Sequence, residues 1–545
     1  MVQELLYVSL AGVATHRFYF KHGEHHMWGM TYILLFLLVF VLSIAGLVRL
    51  HHYPINSAIK SVSVLATTYF TGLYTSLAIY RLYFHPLCIF PGPWQARLSS
   101  LWLMSRMLNF DAYHKLEALH KQYGRYVVVG SNDLSISDPD IMDAAYGALS
   151  QASKSQWYDT GRPHDSMHTT RERAVHDRRR RIWAPGFSDK ALREYEVRVN
   201  IFNAKLMQRV RENAGKPIDA TKWFSLYAFD VMGALTFGKD YGMLDAGELH
   251  WAAKLIVDTM EAAGPRPPAW LIRVAIAIPG VMAGFHKFLR FCRDELHWRY
   301  ENRDKKDVDG SDIAGWLMKA YEGWDKPPAD DPMFQGDARL VIVAGSDTTS
   351  AALTYLFYEL CKKPEEVTKM REELKAARQG SNDSGDKVLR NAQHLNGAIN
   401  EAMRLHPSVP SGLERVTRPE GLRYGEHGEK YIPGNVHFWV PQYVLGRDEE
   451  FYTSALDFIP ERWYSRPEMI KHKHAFAPFS MGPHGCIGKN LALMQLRTLV
   501  AQLVLEFDVA FAPGENGNRV IYETKDHFTL SLGQLDLVFT PVRKS

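Results

Sequence analysis

Two uncharged apolar runs set the beginning of the chain apart from the rest. Thr31 to Val48 carries no charge, is preceded by Trp28 and is closed by Arg49, which is close to the ~20 residues a helix needs to cross a bilayer. Ser61 to Tyr80 is a second such run and ends at Arg81, whereas the earlier stretch Leu5 to Ala14 is short and is cut off by Arg17 and Lys21. The pattern predicts a hairpin of two spanning helices, with the N-terminal stretch as a candidate third. A cleaved signal peptide fits less well, because the strongest run starts near residue 31 and is too long for a signal core. After Arg81, Leu-Tyr-Phe-His-Pro-Leu-Cys-Ile-Phe-Pro-Gly-Pro cannot continue a helix and reads as a stiff spacer. The chain thus divides into an anchor over residues 1–83, a proline-rich hinge over 84–93 and a large domain over 94–545.

In the large domain amphipathic helix dominates, broken by strand-like pieces at Tyr126-Val-Val-Val-Gly, Leu134-Ser-Ile-Ser, Gly421 to Tyr431 and Phe528 to Val538. The expectation is a mainly α fold with small β-sheets. Gly336 to Lys362 reads as one long helix, yet Gly345-Ser-Asp347-Thr348-Thr349-Ser350 puts six poor helix formers in its middle. Two readings stay open from spacing alone: a helix opened locally by hydroxyls that bond back to carbonyls, or a boundary capped by Asp347. Pro265 to Pro279 is an apolar stretch with Trp270 at its edge, and fits either a segment dipping into a bilayer interface or an ordinary buried helix.

Composition narrows the chemistry. With 545 residues, 46% hydrophobic and 23% charged, the chain has ample length for a large core. Its four cysteines, Cys88, Cys292, Cys361 and Cys486, lie far apart with no C-x-x-C pair, against both a disulfide framework and a zinc cluster, which places the large domain in a reducing compartment. A formal net charge of +4 is too small to imply nucleic acid. The basic residues are scattered except for Arg178-Arg179-Arg180-Arg181, and no internal repeat is found.

Near the C-terminus, Phe479-Ser-Met-Gly482-Pro-His484-Gly485-Cys486-Ile-Gly488 holds one cysteine among three glycines, with an apolar helical pattern directly behind it. Helix-start amides stabilise negative charge on sulfur, and glycines let the backbone approach a large flat ligand. That chemistry suits a thiolate ligand of haem iron, which pushes electron density onto the metal and favours O–O cleavage. The loop by itself also fits a glycine-rich turn around a small buried hydrophobe, the usual place of a free cysteine.

At these positions the chain resembles the cysteine-ligand signature of the cytochrome P-450 haem-thiolate monooxygenases, Phe-x-x-Gly-x-Arg-x-Cys-x-Gly, matched at Phe479, Gly482, Cys486 and Gly488. His484 stands where the family has arginine, and would keep a propionate hydrogen bond while being charged only part of the time near neutral pH. Ala344-Gly345-Ser-Asp347-Thr348-Thr349 matches the family's oxygen-activation motif. Glu401-Ala-Met-Arg404, with the later Phe458-Ile-Pro-Glu-Arg462-Trp463, matches its glutamate–arginine network, and His176-x-x-x-Arg180 sits where its Trp-x-x-x-Arg helix lies. The resemblance implies the P-450 fold behind a transmembrane hairpin, haem b (iron protoporphyrin IX) ligated by Cys486, and His176, Arg180, Arg415 and His484 as propionate partners. It further implies Glu401, Arg404 and Arg462 as one buried structural network, and Asp347 and Thr348 as the catalytic pair that delivers protons. Arg178, Arg179 and Arg181 are expected to be solvated or to meet a partner.

The implied activity is insertion of one oxygen atom of O2 into an apolar small molecule. Electrons would come from NADPH through a separate NADPH-cytochrome reductase, since no G-x-G-x-x-G follows a strand and no length remains for a flavin domain. The anchor implies the endoplasmic reticulum membrane with a cytosolic catalytic domain, although the charges flanking the spans do not fix the orientation. The stretch from Ser166 through the arginine run, with Phe229-Asp-Val-Met-Gly and Phe237-Gly, is most similar to fungal enzymes of specialised metabolism, including indole-alkaloid hydroxylases. The implied step is a tailoring oxidation of a secondary metabolite. The alternative is a haem-thiolate isomerase or dehydratase that needs no reductase, and such an enzyme has little use for Asp347 and Thr348. A transporter or scaffold would require more spans. In the family the pocket is lined at Trp157 to His168, Val341 to Ala344, Ser408 to Leu413 and His527 to Thr529. The last two stretches hold no arginine or lysine, and Arg162 is the candidate clamp only if its loop turns inward, so a neutral polycyclic or prenylated substrate is expected over a fatty acid.

Overall fold

A computed structural model describes residues 2–261, 264–303, 312–321, 327, 330–379 and 385–542. Three helices come first: α1 (Val2–Thr15), α2 (Gly29–His51) and α3 (Ile55–Ile79). No residue of α2 is buried although the helix is apolar all round, an arrangement that water does not tolerate. The helical stretches His26–His51 and Ile55–Phe84 are long and apolar enough to cross a membrane. The candidate third stretch forms α1, which lies along α3 through a reciprocal glycine crossing. A Cβ on Gly12 would fall 2.1 Å from the Tyr69 carbonyl oxygen, and one on Gly72 would fall 2.1 Å from that of Ser9. Small residues of this kind let membrane helices approach closely. At the hinge His85 ends the helical run with extended backbone, and its ring accepts a hydrogen bond from the Leu87 amide.

Beyond the hinge, the helices that build the site are α4 (Arg173–Trp183), α5 (Ala220–Phe237), α6 (Ala269–Ala277), α7 (Pro332–Lys362), α8 (Gln393–Leu405) and α9 (Lys489–Glu506). Helix α7 is also long and apolar enough to cross a membrane, but most of its apolar length is buried at the centre of the large domain. It starts at Asp331, whose side chain accepts the Met333 amide, with Pro332 in the first turn. The run Gly345 to Ser350 stays helical, so Asp347 is not a cap. Ser346 and Thr348 donate to the carbonyls of Ile342 and Ala344 at 2.8 and 2.7 Å. Gly345 packs closely on its neighbour: a Cβ there would lie 2.4 Å from the sulfur of Met232 on α5, which packs along α7, so that side chain would have to move.

Twelve short strands accompany the helices: β1 (Tyr126–Gly130), β2 (Asp133–Ile136), β3 (Ser153–Lys154), β4 (Pro217–Asp219), β5 (Arg415–Val416), β6 (Leu422–Tyr424), β7 (Lys430–Ile432), β8 (His437–Trp439), β9 (Phe507–Phe511), β10 (Lys525–His527), β11 (Thr529–Ser531) and β12 (Asp536–Pro541). A five-stranded sheet runs β1-β2-β8-β5-β3, with β2 and β8 parallel and the other pairs antiparallel. The buried valines of β1 place it against the core. The tight hairpin β10–β11 projects Phe528 at its tip with φ of 89°, a conformation a bulky residue adopts only where its surroundings hold it. Phe528 is held by its ring, stacked on Trp157 at 5.2 Å.

The connection between α1 and α2 docks onto the large domain. His26 Nε2 lies 2.9 Å from Asp159 Oδ2, and Arg171 donates to both Asp159 and Glu24 at 2.6 Å. Beside it, α2 begins against α6, where a Cβ on Gly29 would meet Val274 at 3.0 Å. Helix α6, the stretch with two open readings, is therefore half buried: Ala269 and Val274 face inward while Trp270 is 41% exposed.

Candidate active site

One cavity of about 650 Å³ gathers residues from nearly every motif. Cys486 lines one side and Thr348 of α7 another, and His176, Arg180, Arg415 and His484 lie on its walls. The surface that Cys486 exposes is surface toward this cavity, since the group is otherwise enclosed by protein. Its amide donates to the Phe479 carbonyl at 2.8 Å, which closes the loop, and α9 starts three residues later. Burial pushes the Cys486 thiol up, while the amides of Gly488 and Lys489 and the Arg180 guanidinium pull it back down.

The loop glycines answer to different demands. Gly482 has φ of 62°, and a Cβ there would fall 2.4 Å from the Tyr146 carbonyl oxygen, so it serves the turn and does not line the cavity. At Gly488 a Cβ would meet no protein atom closer than 3.8 Å. Packing does not require glycine there, and the open space faces the cavity.

Behind the loop lies a fully buried network. Glu401 Oε1 accepts from Arg404 at 2.7 Å and Arg462 at 3.1 Å, while Oε2 accepts from Arg404 at 2.9 Å and from the Trp463 ring at 2.9 Å. The remaining guanidinium donors reach backbone carbonyls, among them Ala455 and Asp457 for Arg404 and Thr453, Ser454 and Met469 for Arg462. Trp463 carries the network toward the loop by packing on Phe476 with ring centroids 4.3 Å apart.

On the opposite wall, Thr348 donates to Ala344, so its oxygen is left to accept from the cavity side. Asp347 does not itself line the cavity; it accepts a hydrogen bond from Thr529 at 3.1 Å, and Thr529 is the residue that does. Burial pushes the Asp347 carboxyl up to about 7, against the lowering effect of the Thr529 hydroxyl. The acid is thus poised to give and take a proton near neutrality.

Two of the cationic residues, His484 and Arg179, depart from expectation. His484 packs on His176 at 4.0 Å, and burial with the charges of Lys154, His176 and Arg415 holds it down to about 2, so it is neutral across the physiological range rather than partly charged. Arg179 is neither solvated nor at a partner: it is buried against α7, ion-paired to Asp337 and bonded to Tyr321, because its position on α4 faces that helix, whereas Arg178 and Arg181 are exposed. Arg162 turns outward, 45% exposed, and pairs with Asp159 at 3.0 Å and Asp165 at 3.6 Å.

Two cavity cations escaped sequence reasoning. Lys154 is buried with its ammonium on the carbonyls of Met167, His168 and Thr170 at 3.2, 2.6 and 3.1 Å, and Arg339 of α7 lines the cavity beyond Ala344. The available signal for Arg339 was its place immediately before the apolar run Leu340 to Ala344 of the same helix.

The residues present fit a haem-thiolate group. A cysteine at a helix start faces a cavity whose edge carries Arg415, almost wholly buried with one backbone acceptor and the ring of Tyr146 at 4.8 Å. Beside it His484 Nδ1 is buried without a partner among the described residues. Such donors suit carboxylates, and Gly488 leaves room for a flat ring system.

Comparison with known proteins agrees. The cytochrome P450 family model matches residues 90–533. A cytochrome P450 monooxygenase of Aspergillus versicolor, notG', is 41% identical over 98% of this chain and 97% of its own length. Another from Purpureocillium lilacinum, lcsK, is 44% identical over 97% of each, and the tryprostatin B 6-hydroxylase of Aspergillus fumigatus is 39% identical over 98% of this chain and 95% of its own. On the match across the large domain and these near full-length likenesses, the chain belongs to the cytochrome P450 family of haem-thiolate monooxygenases.

Proposed function

We propose that this protein is a membrane-anchored tailoring monooxygenase of fungal secondary metabolism, which hydroxylates or otherwise oxidises a largely apolar small molecule. The observation that carries the reading is the opposition, across one cavity, of the Cys486 loop and the Thr348 wall of α7, with donors gathered at the cavity edge. The fungal monooxygenases resembled along nearly the whole chain support the pathway class.

Haem b held through Cys486 supplies O2 activation and insertion of one oxygen atom into the substrate. His176, Arg180, Arg415 and His484 are the side chains that would bind its propionates. Arg180 also donates to the Gly485 carbonyl at 2.7 Å and so holds the residue before the ligand. Glu401, Arg404 and Arg462 position the loop from behind and touch no reacting atom. Thr348 orders a proton donor at the cavity wall, and Asp347 replenishes that proton through the Thr529 hydroxyl. The stacked rings of Trp157 and Phe528 form part of the apolar wall on the substrate side.

In this reading residues 1–83 are the anchor, 84–93 the hinge and 94–545 the catalytic domain. The anchor lies in the endoplasmic reticulum membrane, and electrons come from a separate NADPH-cytochrome reductase. Asp347 and Thr348 weigh against the isomerase or dehydratase alternative, which has no use for delivered protons. The deciding test is incubation of membranes with NADPH, reductase and fungal extract under isotopically labelled O2. One labelled oxygen in a product that depends on NADPH supports the proposal; product formed without reductase supports the alternative.

A further inference from the structure

We propose that Arg339 is the polar anchor of the substrate, binding an oxygen-acceptor group, carboxylate or carbonyl, at the end of the cavity remote from the reacting carbon. This inference rests on the monooxygenase reading and adds the recognition chemistry it lacks. A guanidinium offers five N–H donors. Among the described residues Arg339 has a single hydrogen bond, to the His164 carbonyl at a long 3.4 Å, and its charge rests on the ring of Phe285 at 5.7 Å. The nearest acids are committed elsewhere: Asp165 pairs with Arg162, and Asp337 pairs with Arg179. No carboxylate among the described residues lies within ion-pair distance of Arg339.

The site is shaped around this group. Gly161 leaves the guanidinium its space, since a Cβ there would lie 3.2 and 3.3 Å from its two terminal nitrogens. The neighbouring wall is apolar, with Ile272, Ile276, Met282 and Phe288 facing the same cavity. A cation so placed is costly to bury without an acceptor, and the donors that protein leaves unused open onto the substrate space. Arg339 precedes Thr348 by nine residues on α7, an axial rise of roughly 13 Å at ~1.5 Å per residue. The substrate is therefore an elongated molecule, apolar through its middle, with an acceptor remote from the carbon that is oxidised. An oxygen acceptor there also settles the register in which the molecule lies, so Arg339 selects the oxidised position as well as the ligand. The expectation of a substrate without a clamp is thereby revised: Arg162 faces solvent, and the cavity has a clamp on α7.

The test uses the haem-loaded protein and a ruler series of ω-(imidazol-1-yl)alkanoic acids of increasing chain length, whose imidazole binds the iron and shifts its absorption. Matched primary amides and plain ω-imidazolyl alkanes are titrated in parallel. In the wild type, the acid or the amide should outbind the alkane at least tenfold at one chain length and less at shorter and longer ones. Arg339→Met, which removes the buried charge and keeps the length, should abolish that preference without changing alkane affinity, and Arg339→Lys should keep part of it for the acid alone. A preference for acid only identifies an anionic substrate, and equal preference for acid and amide identifies a neutral carbonyl. No length-dependent preference in the wild type, or one that survives in Arg339→Met, overturns the proposal. If the imidazole itself produces no shift, it is the haem-thiolate reading that fails.

Discussion

Deleting the Glu401 carboxylate would strand two guanidiniums in the core. In Glu401→Ala, Arg404 and Arg462 lose their only carboxylate within the buried network, and the Trp463 ring N–H and the Ile459 amide lose their acceptor. Removing one partner of a buried ion pair costs about 3–5 kcal/mol. Both arginines keep several backbone carbonyls, which holds the loss near the single-pair figure rather than twice it. With one or two stranded donors added, the expected loss is about 4–6 kcal/mol, comparable with the roughly 5–15 kcal/mol that holds a native protein folded. The assay is urea unfolding of the haem-loaded protein, followed through the thiolate-type band of the reduced carbon monoxide complex. Glu401→Ala should yield little such protein, and what forms should lose the band at much lower urea. Glu401→Gln, which keeps an acceptor oxygen, should fall between. Arg462→Ala added to Glu401→Ala should cost little more, because the two residues act as one unit. A variant within about 1 kcal/mol of the wild type, a change typical of surface sites, would refute the reasoning, as would full additivity in the double variant.

Three further outcomes follow from the geometry. Asp347 is protonated below about 7, so product formed per NADPH should fall as pH rises through that value; Asp347→Asn should flatten this limb and Thr529→Val should move it to higher pH, because the lost hydroxyl favoured the carboxylate, whereas a flat wild-type profile would contradict the relay. Thr348→Ala should keep haem and ligand spectra but divert electrons to hydrogen peroxide, and tight coupling in that variant would remove its role. Deleting the residues before His85 should release much but not all of the protein from membranes, since the partly exposed α6 beside the start of α2 remains; complete solubility without detergent would assign α6 to the protein interior alone.

What could be read from the sequence was whatever depends on composition and close spacing. An uncharged apolar run marks a helix long and apolar enough to cross a membrane, and a cysteine between glycines before an apolar helix marks a candidate ligand loop, one that only the accompanying motifs separated from an ordinary glycine-rich turn. The strand-like pieces at Tyr126 to Gly130, Leu134 to Ser137, Gly421 to Tyr431 and Phe528 to Val538 were legible from the sequence, and they appear as β1, β2, β6 with β7, and β11 with β12, whereas β10 lies just before the last of them. Contacts between distant segments were not. That Arg179 turns to Asp337 while Arg180 reaches Gly485 depends on where α7 and the loop lie relative to α4, and a run of four arginines says nothing of that. The lowering of His484 comes first from its burial and then from Lys154, His176 and Arg415, which the sequence scatters over hundreds of residues. On spacing alone the two readings of Gly345 to Ser350 were not separable; the helix runs on through them, with Ser346 and Thr348 bonding back to the carbonyls of Ile342 and Ala344. Arg339 drew no reading from the sequence, because only the fold shows that the cavity reaches it.

The central claim is that Cys486 and no other cysteine holds the haem as a thiolate. The most direct measurement is the absorption spectrum of the reduced carbon monoxide complex in the wild type and in Cys486→Ala, with Cys292→Ala and Cys361→Ala as controls. The account predicts a thiolate-type Soret band in the wild type and both controls, and its loss in Cys486→Ala. An unchanged thiolate-type band in Cys486→Ala, or its loss in a control that remains folded, would contradict the account.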